Sequence, residues 1–197
     1  LATGMGAERL LVGWPAPAGG DPAHAALTVL AEVLAGSDHG RLARALRFDR
    51  PIAGQIDVDV ALLAGPAVFE IRVELLPGVG AEQALSALDS VLADLASHPV
   101  VSAELAAARN RLRMARYGAL RTADGRAEAL GTFVAVFDEP AARTRWWQAL
   151  DAVDAEAIGR AAAQWLQSSR RVVVIGRTER DETLRAESRS APQEVRR

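Results

Sequence analysis

Two stretches of strict period-two alternation constrain the fold of this chain more than any other feature. In GQIDVDVAL (54–62), Ile56, Val58 and Val60 alternate with Gln55, Asp57 and Asp59. In VFEIRVELL (68–76), Phe69, Ile71, Val73 and Leu75 alternate with Glu70, Arg72 and Glu74. Successive side chains of a strand point to opposite faces, so each stretch offers one apolar and one charged face. Only LAGPA separates them, too short for a parallel crossover. The expectation is an antiparallel pair with one face covered and the other wet.

The remaining segments supply the cover. RLLVGW (9–14), stopped by PAPAGGDP, reads as another strand and its loop. Asp21 followed by Pro22 is a helix start, a side-chain cap with proline at the first helical position. The helix that follows, AHAALTVLAEVLA, is apolar on nearly every side and should be buried against the sheet. GSDHGRLARALR (36–47) is a small polar loop running into a second helix, with Ser37 or Asp38 as its cap. Leu85, Leu88, Leu92 and Leu95 stripe a third helix, and Val101, Leu105, Ala108, Leu112 and Ala115 a fourth, with Arg109, Arg113 and Arg116 outside that stripe. Ala127, Leu130, Val134 and Phe137 mark a fifth, ending before Pro140. AARTRWWQAL gives a sixth, and Ile158, Ala161, Ala162 and Trp165 a seventh capped by Asp154. RVVVIG (171–176) is a continuous apolar run suited to a strand buried on both faces. Residues 178–197 mix charges with almost no apolar side chains and are expected to form a disordered tail. The fold class is therefore α+β, a largely antiparallel sheet with helices packed on one face, in one domain over residues 1–177.

Composition narrows the chemistry. A chain of 197 residues that is 50% apolar buries one proper core. Its formal charge of −2 gives no general attraction to nucleic acid or anionic lipid. There is no cysteine, hence no disulfide, thiolate metal site or thiol nucleophile. No run of eighteen apolar residues offers a membrane span. The first residue is Leu1 rather than methionine, so the sequence reads as a piece of a longer polypeptide, with any signal peptide upstream.

His24, His39 and His98 are the only histidines. Helical zinc sites pair imidazoles at i and i+4 on one face, and none of the three has such a partner, so their expected roles are structural or at the surface. GSDHGRL lacks phosphate-loop spacing and there is no lysine to reach a phosphate. No G-x-S-x-G elbow presents a serine nucleophile. The arginines of RNRLRMARYGALR (Arg109, Arg111, Arg113, Arg116, Arg121) carry one interleaved aromatic, Tyr117, and read as a helix face pairing with acidic neighbours rather than a nucleic-acid site. Trp146 and Trp147 read as packing residues.

Taken in order, DPAHAALTVLAEVLAGSDHGRLARALR, GQIDVDVAL, VSAELAAARNRL, DGRAEALG and LDAVDAEAIGRAAAQWL…RVVVIG resemble the carboxy-terminal domain of zinc metallopeptidases of the insulinase/pitrilysin family, which includes the mitochondrial processing peptidases. The resemblance covers residues 9–177. It implies two similar α+β halves that close around a peptide like a clam shell, with zinc held by H-x-x-E-H in the amino-terminal half. Here the corresponding helix reads HAALT, so the chain resembles the noncatalytic half: no enzyme by itself, no metal site, no cofactor in this chain, and zinc in the partner half. The resemblance also implies that Arg47, ending the S-x-R-L-x-x-x-L-R-like stretch, holds substrate from across the chamber together with a tyrosine seven positions on. Gly54 stands at that position instead. Arg47 as a plain cation at a helix end, favoured by the macrodipole, is the alternative.

The expected partners are an active zinc-bearing peptidase domain, in the same chain or in a partner subunit, and an unfolded peptide substrate. A homo-oligomer is compatible with this, while nucleic acid and a membrane span are not expected. Bacterial relatives with the two-half plan are often exported, which favours periplasm over cytoplasm. The rival expectation is a structural assembly module that touches no substrate.

Overall fold

In the computed structural model, which describes residues 8–177, the two alternating stretches pair antiparallel as β2 (Ala53–Val60) and β3 (Ala67–Leu75). β3 pairs with β1 (Arg9–Ala16), and β1 pairs in turn with β4 (Val172–Gly176), so the sheet order is β2-β3-β1-β4 and every pairing is antiparallel. Leu10, Val12, Trp14 and Ala16 of β1 and Phe69, Ile71, Val73 and Leu75 of β3 are buried on one face. Trp14 meets Phe69 edge-on, with ring centroids 6.3 Å apart, and its indole N–H donates to the Gln167 carbonyl at 3.1 Å.

That face is closed by α1 (Pro22–Ala35), capped by the Asp21 carboxylate, which accepts the Ala23 N–H at 2.7 Å. Its buried residues, from His24 to Leu34, occupy nearly every side of the helix because β2 and three later helices, over residues 102–119, 142–152 and 155–165, pack around it. The others are α2 (Arg41–Ala43), running into a π-helical turn at Arg44–Asp49, α3 (Ala81–Ser97), α4 (Ser102–Ala119), α5 (Ala123–Phe137), α6 (Ala142–Ala152) and α7 (Ala155–Trp165). Glu8, itself buried, accepts the Ala81 N–H at 3.1 Å and so supplies the first turn of α3 with the carboxylate that Gly80 cannot.

Three expectations are corrected. β4 is an edge strand whose Val172 and Val174 are 67% and 38% exposed, not a strand buried on both faces: the helices cover one side of the sheet, so alternate valines of a uniformly apolar run stay outside. The stripe of α5 is turned outward. Leu130 and Val134 are 45% and 44% exposed, while Phe133 is buried and stacks on Phe137 at 5.6 Å. The helix meets the body mainly through α4 and α6 and is apolar on two sides, which periodicity alone does not resolve. Neither Ser37 nor Asp38 caps α2; the cap position is Gly40, with no side-chain bond. The tail expected at 178–197 lies outside the described residues. No helix among those described is long and apolar enough to cross a membrane.

Candidate substrate-contacting site

The stretch GSDHGRLARALR is held by close backbone approach. A Cβ on Gly40 would stand 2.5 Å from the Leu34 carbonyl oxygen, and one on Gly36 would meet the Glu32 carboxylate and the Arg111 guanidinium. The two glycines let this loop fold against the end of α1 and leave room for Arg111 of α4, which donates to the Glu32 side chain at 2.9 Å and to its carbonyl at 2.7 Å. Glycine here serves packing.

Arg47 lies in the π-helical turn, a rare geometry that often marks functional positions. Its Nη1 donates to Asp38 Oδ1 at 2.6 Å, and its guanidinium lies 5.8 Å from the ring centre of the exposed Phe48. The side chain is thus folded back over its own loop, still partly exposed, and a carboxylate neutralises it. Gly54 lies exposed at the start of β2, where a Cβ would meet nothing closer than 3.8 Å. The Arg47–Asp38 pair spans the opening loop and the helix end, a link no local pattern announces.

The other arginines of the segment have structural work. Arg41 makes a two-pronged pair with Glu104, both bonds 2.8 Å, and donates to the His98 and Pro99 carbonyls at 2.7 and 3.1 Å. Glu104 also accepts the Val101 N–H at 2.9 Å, so one carboxylate fixes the start of α4 and the end of the preceding turn. Its hydrogen bond from Arg41 holds the Glu104 carboxyl below its ordinary range. On α4, Arg113 pairs with Asp151 at 2.8 Å, Arg109 donates to the Val153 carbonyl, and Arg116 sits 4.8 Å above the Trp147 ring. These guanidiniums hold α4 against α1 and the α6 region; Arg111 and Arg113 do so by pairing with carboxylates, as the sequence reading expects, whereas Arg109 uses a backbone carbonyl and Arg116 an aromatic ring.

The histidines do not converge. His24 is fully buried, and its Nε2 lies 3.0 Å from the Ala61 carbonyl; since a carbonyl only accepts, Nε2 carries the proton. Its ring meets Trp146 edge-on at 5.2 Å. Burial lowers its pKa, opposed by the Ala61 bond and by Asp21 and Asp59. Leu27 and Thr28, at the positions where the resembled motif has glutamate and histidine, offer no carboxylate or second imidazole, so the set does not fit zinc. His98 faces Asp94 at 2.6 Å at the end of α3, and His39 sits in the α1–α2 loop. Among the described residues no three His, Asp or Glu side chains gather as a metal would need.

The sheet also has a second face, which no helix among the described residues covers and which sequence reading treats only as wet. It carries Arg9 and Glu74, paired at 3.6 Å, Arg72 and Glu70, paired at 2.5 Å, and the exposed Asp57 and Asp59. Only the strand register shows which of these side chains stand opposite one another.

A family model described as the peptidase M16 inactive domain matches residues 4–112. No curated protein matches the chain. Among solved structures, a protease from Helicobacter pylori shares the fold with a TM-score of 0.80 at 18% identity, over 89% of this chain and 42% of that one. The chain thus spans about two fifths of that protease. The inactive peptidase domain of a candidate zinc protease from Bordetella parapertussis aligns with a TM-score of 0.78 at 23% identity, over 89% and 92% of the two chains. The periplasmic protease PqqL from Escherichia coli aligns with a TM-score of 0.67 at 15% identity, over 90% of this chain and 20% of that one. At these identities the likeness is one of fold, and it extends the family match through the helices to β4. The chain is a member of the peptidase M16 inactive-domain family.

Proposed function

We propose that this chain is the noncatalytic half of a clam-shell zinc peptidase, forming one wall of a peptide chamber and positioning an extended substrate for a zinc-bearing half supplied by the same polypeptide or by a partner subunit. The observation that carries this reading is the match to the inactive-domain model over residues 4–112. The helix that would hold zinc in an active half here holds His24 against a backbone carbonyl instead. Confinement by such a wall contributes by orientation, since fixing a peptide beside a reactive centre removes entropy from the chemical step. The periplasmic setting of one structural neighbour favours an exported location.

Arg47 is the proposed substrate contact of the Asp38 loop. A guanidinium donates well to a peptide carbonyl, but Arg47 must leave Asp38 to do so. That pairing, with Gly54 in place of the tyrosine, favours a second reading in which this loop is scaffold. Purified alone, the chain is expected to bind no stoichiometric zinc and to cleave no peptide. Mixed with its active half, it should raise peptide turnover. Arg47→Ala should then lower kcat/KM about tenfold if the guanidinium holds substrate, and leave it unchanged if the loop is scaffold. One zinc bound per chain would overturn the noncatalytic assignment.

A further inference from the structure

We infer that the open face of the sheet is the peptide-contacting surface, and that it takes an extended peptide lying across the strands with an apolar side chain over β4 and β1 and a basic one over β2. This rests on the reading of the chain as a chamber wall and names the surface and the class of peptide.

Directly opposed residues share a face, so the register lays out two rows across the sheet. The first runs Val172, Gly13, Glu70, Asp59, and the second Val174, Leu11, Arg72, Asp57. Each row begins apolar and ends acidic. At the apolar end Val172, Val174 and Val68 are exposed, and Val68 leans over Gly13, its Cγ1 only 3.2 Å from where a Cβ would stand. The strip formed by Val68, Gly13, Val172, Leu11 and Val174 is therefore continuous. A depression on the same face is lined by Arg9, Leu11, Gln55, Asp57, Arg72 and Glu74.

The acidic end is under-compensated. Arg72 pairs with Glu70 and Arg9 with Glu74; Asp57 accepts the Gln55 amide at 2.8 Å and shares the already paired Arg72 across the strands, and among the described residues Asp59 makes no ion pair. Asp59 also stands directly across from Glu70, a like-charge opposition that destabilises a strand pair and that an incoming cation relieves. No third ligand gathers there for a metal among the described residues. A peptide cation fits this charge pattern. Three strand spacings separate the two ends, about 14 Å, which an extended peptide spans in about four residues.

The test uses the full chain and amide chemical-shift mapping with a nine-residue peptide of glycine and serine carrying valines at its second and third positions and arginine at its seventh. Its twin replaces the arginine by uncharged citrulline. The expected result is shifts on β1, β2, β3 and β4, with those on β2 larger for the arginine peptide, which binds about two- to fivefold more tightly at low salt, an advantage that vanishes in high salt. Asp57→Asn with Asp59→Asn should abolish that advantage while leaving citrulline-peptide binding unchanged. If the double variant does not fold, the wild-type comparison of the two peptides decides alone. Equal affinities, or shifts confined to the Arg47 loop, would overturn this inference and leave the chamber-wall reading standing. Binding of neither peptide would also overturn it, and turnover with the active half then decides the broader reading separately.

Discussion

His24 shows how one side chain can keep its place in a helix and change its work. Buried against Ala61 and Trp146, it is held neutral, its pKa below the ordinary imidazole value of 6.5. A group whose folded pKa is depressed by burial takes up its proton first in the unfolded chain, so stability is constant above pH 6.5 and falls as the pH drops from there toward the folded value. His24→Gln, which can still donate to Ala61, should flatten that part of the profile, as denaturant unfolding between pH 7.5 and 5 would read. In the structure its ring meets Ala61 and Trp146, and the sequence places His24 without a histidine or carboxylate at the positions where the resembled motif has them. It gives no sign of the Ala61 contact, because a bond to a carbonyl 37 positions away leaves no trace in side-chain pattern. The same holds for Arg47 and Asp38, whose pairing follows from a π-helical turn that residue identities do not encode.

At the level of elements, period and caps carry most of the information. β2, β3, α1 and α7 stand where alternation, Asp21 and Asp154 put them, since those signals are local. Which side of an element is covered is a tertiary fact, and there α5 and β4 depart from expectation. This yields a direct comparison: Phe133→Ala should cost about 3 kcal/mol or more, whereas Leu130→Ser with Val134→Ser should move the thermal midpoint by no more than a few degrees. The stripe read from the sequence alone would give the opposite order. The start of α4 depends on a remote arginine. Arg41→Ala removes the paired bonds to Glu104 and the donors to two carbonyls, and should cost about 1–3 kcal/mol in denaturant unfolding. Because Arg41 depresses the Glu104 carboxyl, the stability from that pair is present above the ordinary carboxyl value of 4.5 and lost as the pH falls through the folded one. The variant should lack this acid-side decline.

On the scale of the whole molecule, the fold class, the order of elements and the likeness to an inactive peptidase half are all legible in the sequence. The charged rows on the open sheet face are not, since they exist only once β4 has been set against β1 and β2 against β3. The part matched by the family model ends at Arg111–Leu112 on α4, yet α1 needs α6 and α7 from beyond that point to complete its surroundings. A fragment of residues 1–119 should therefore bind a hydrophobic dye and melt without a cooperative transition, whereas the full chain melts cooperatively. The position of β1 between β3 and β4 carries this further, into biosynthesis. Among the described strands the earliest in sequence is an interior one, and its neighbour on one side is the latest, so this sheet is completed only after the intervening helices have been synthesised. Until β4 arrives, the margin of β1 that it will cover, with Leu10, Leu11 and Val12, stays open to pairing with another chain.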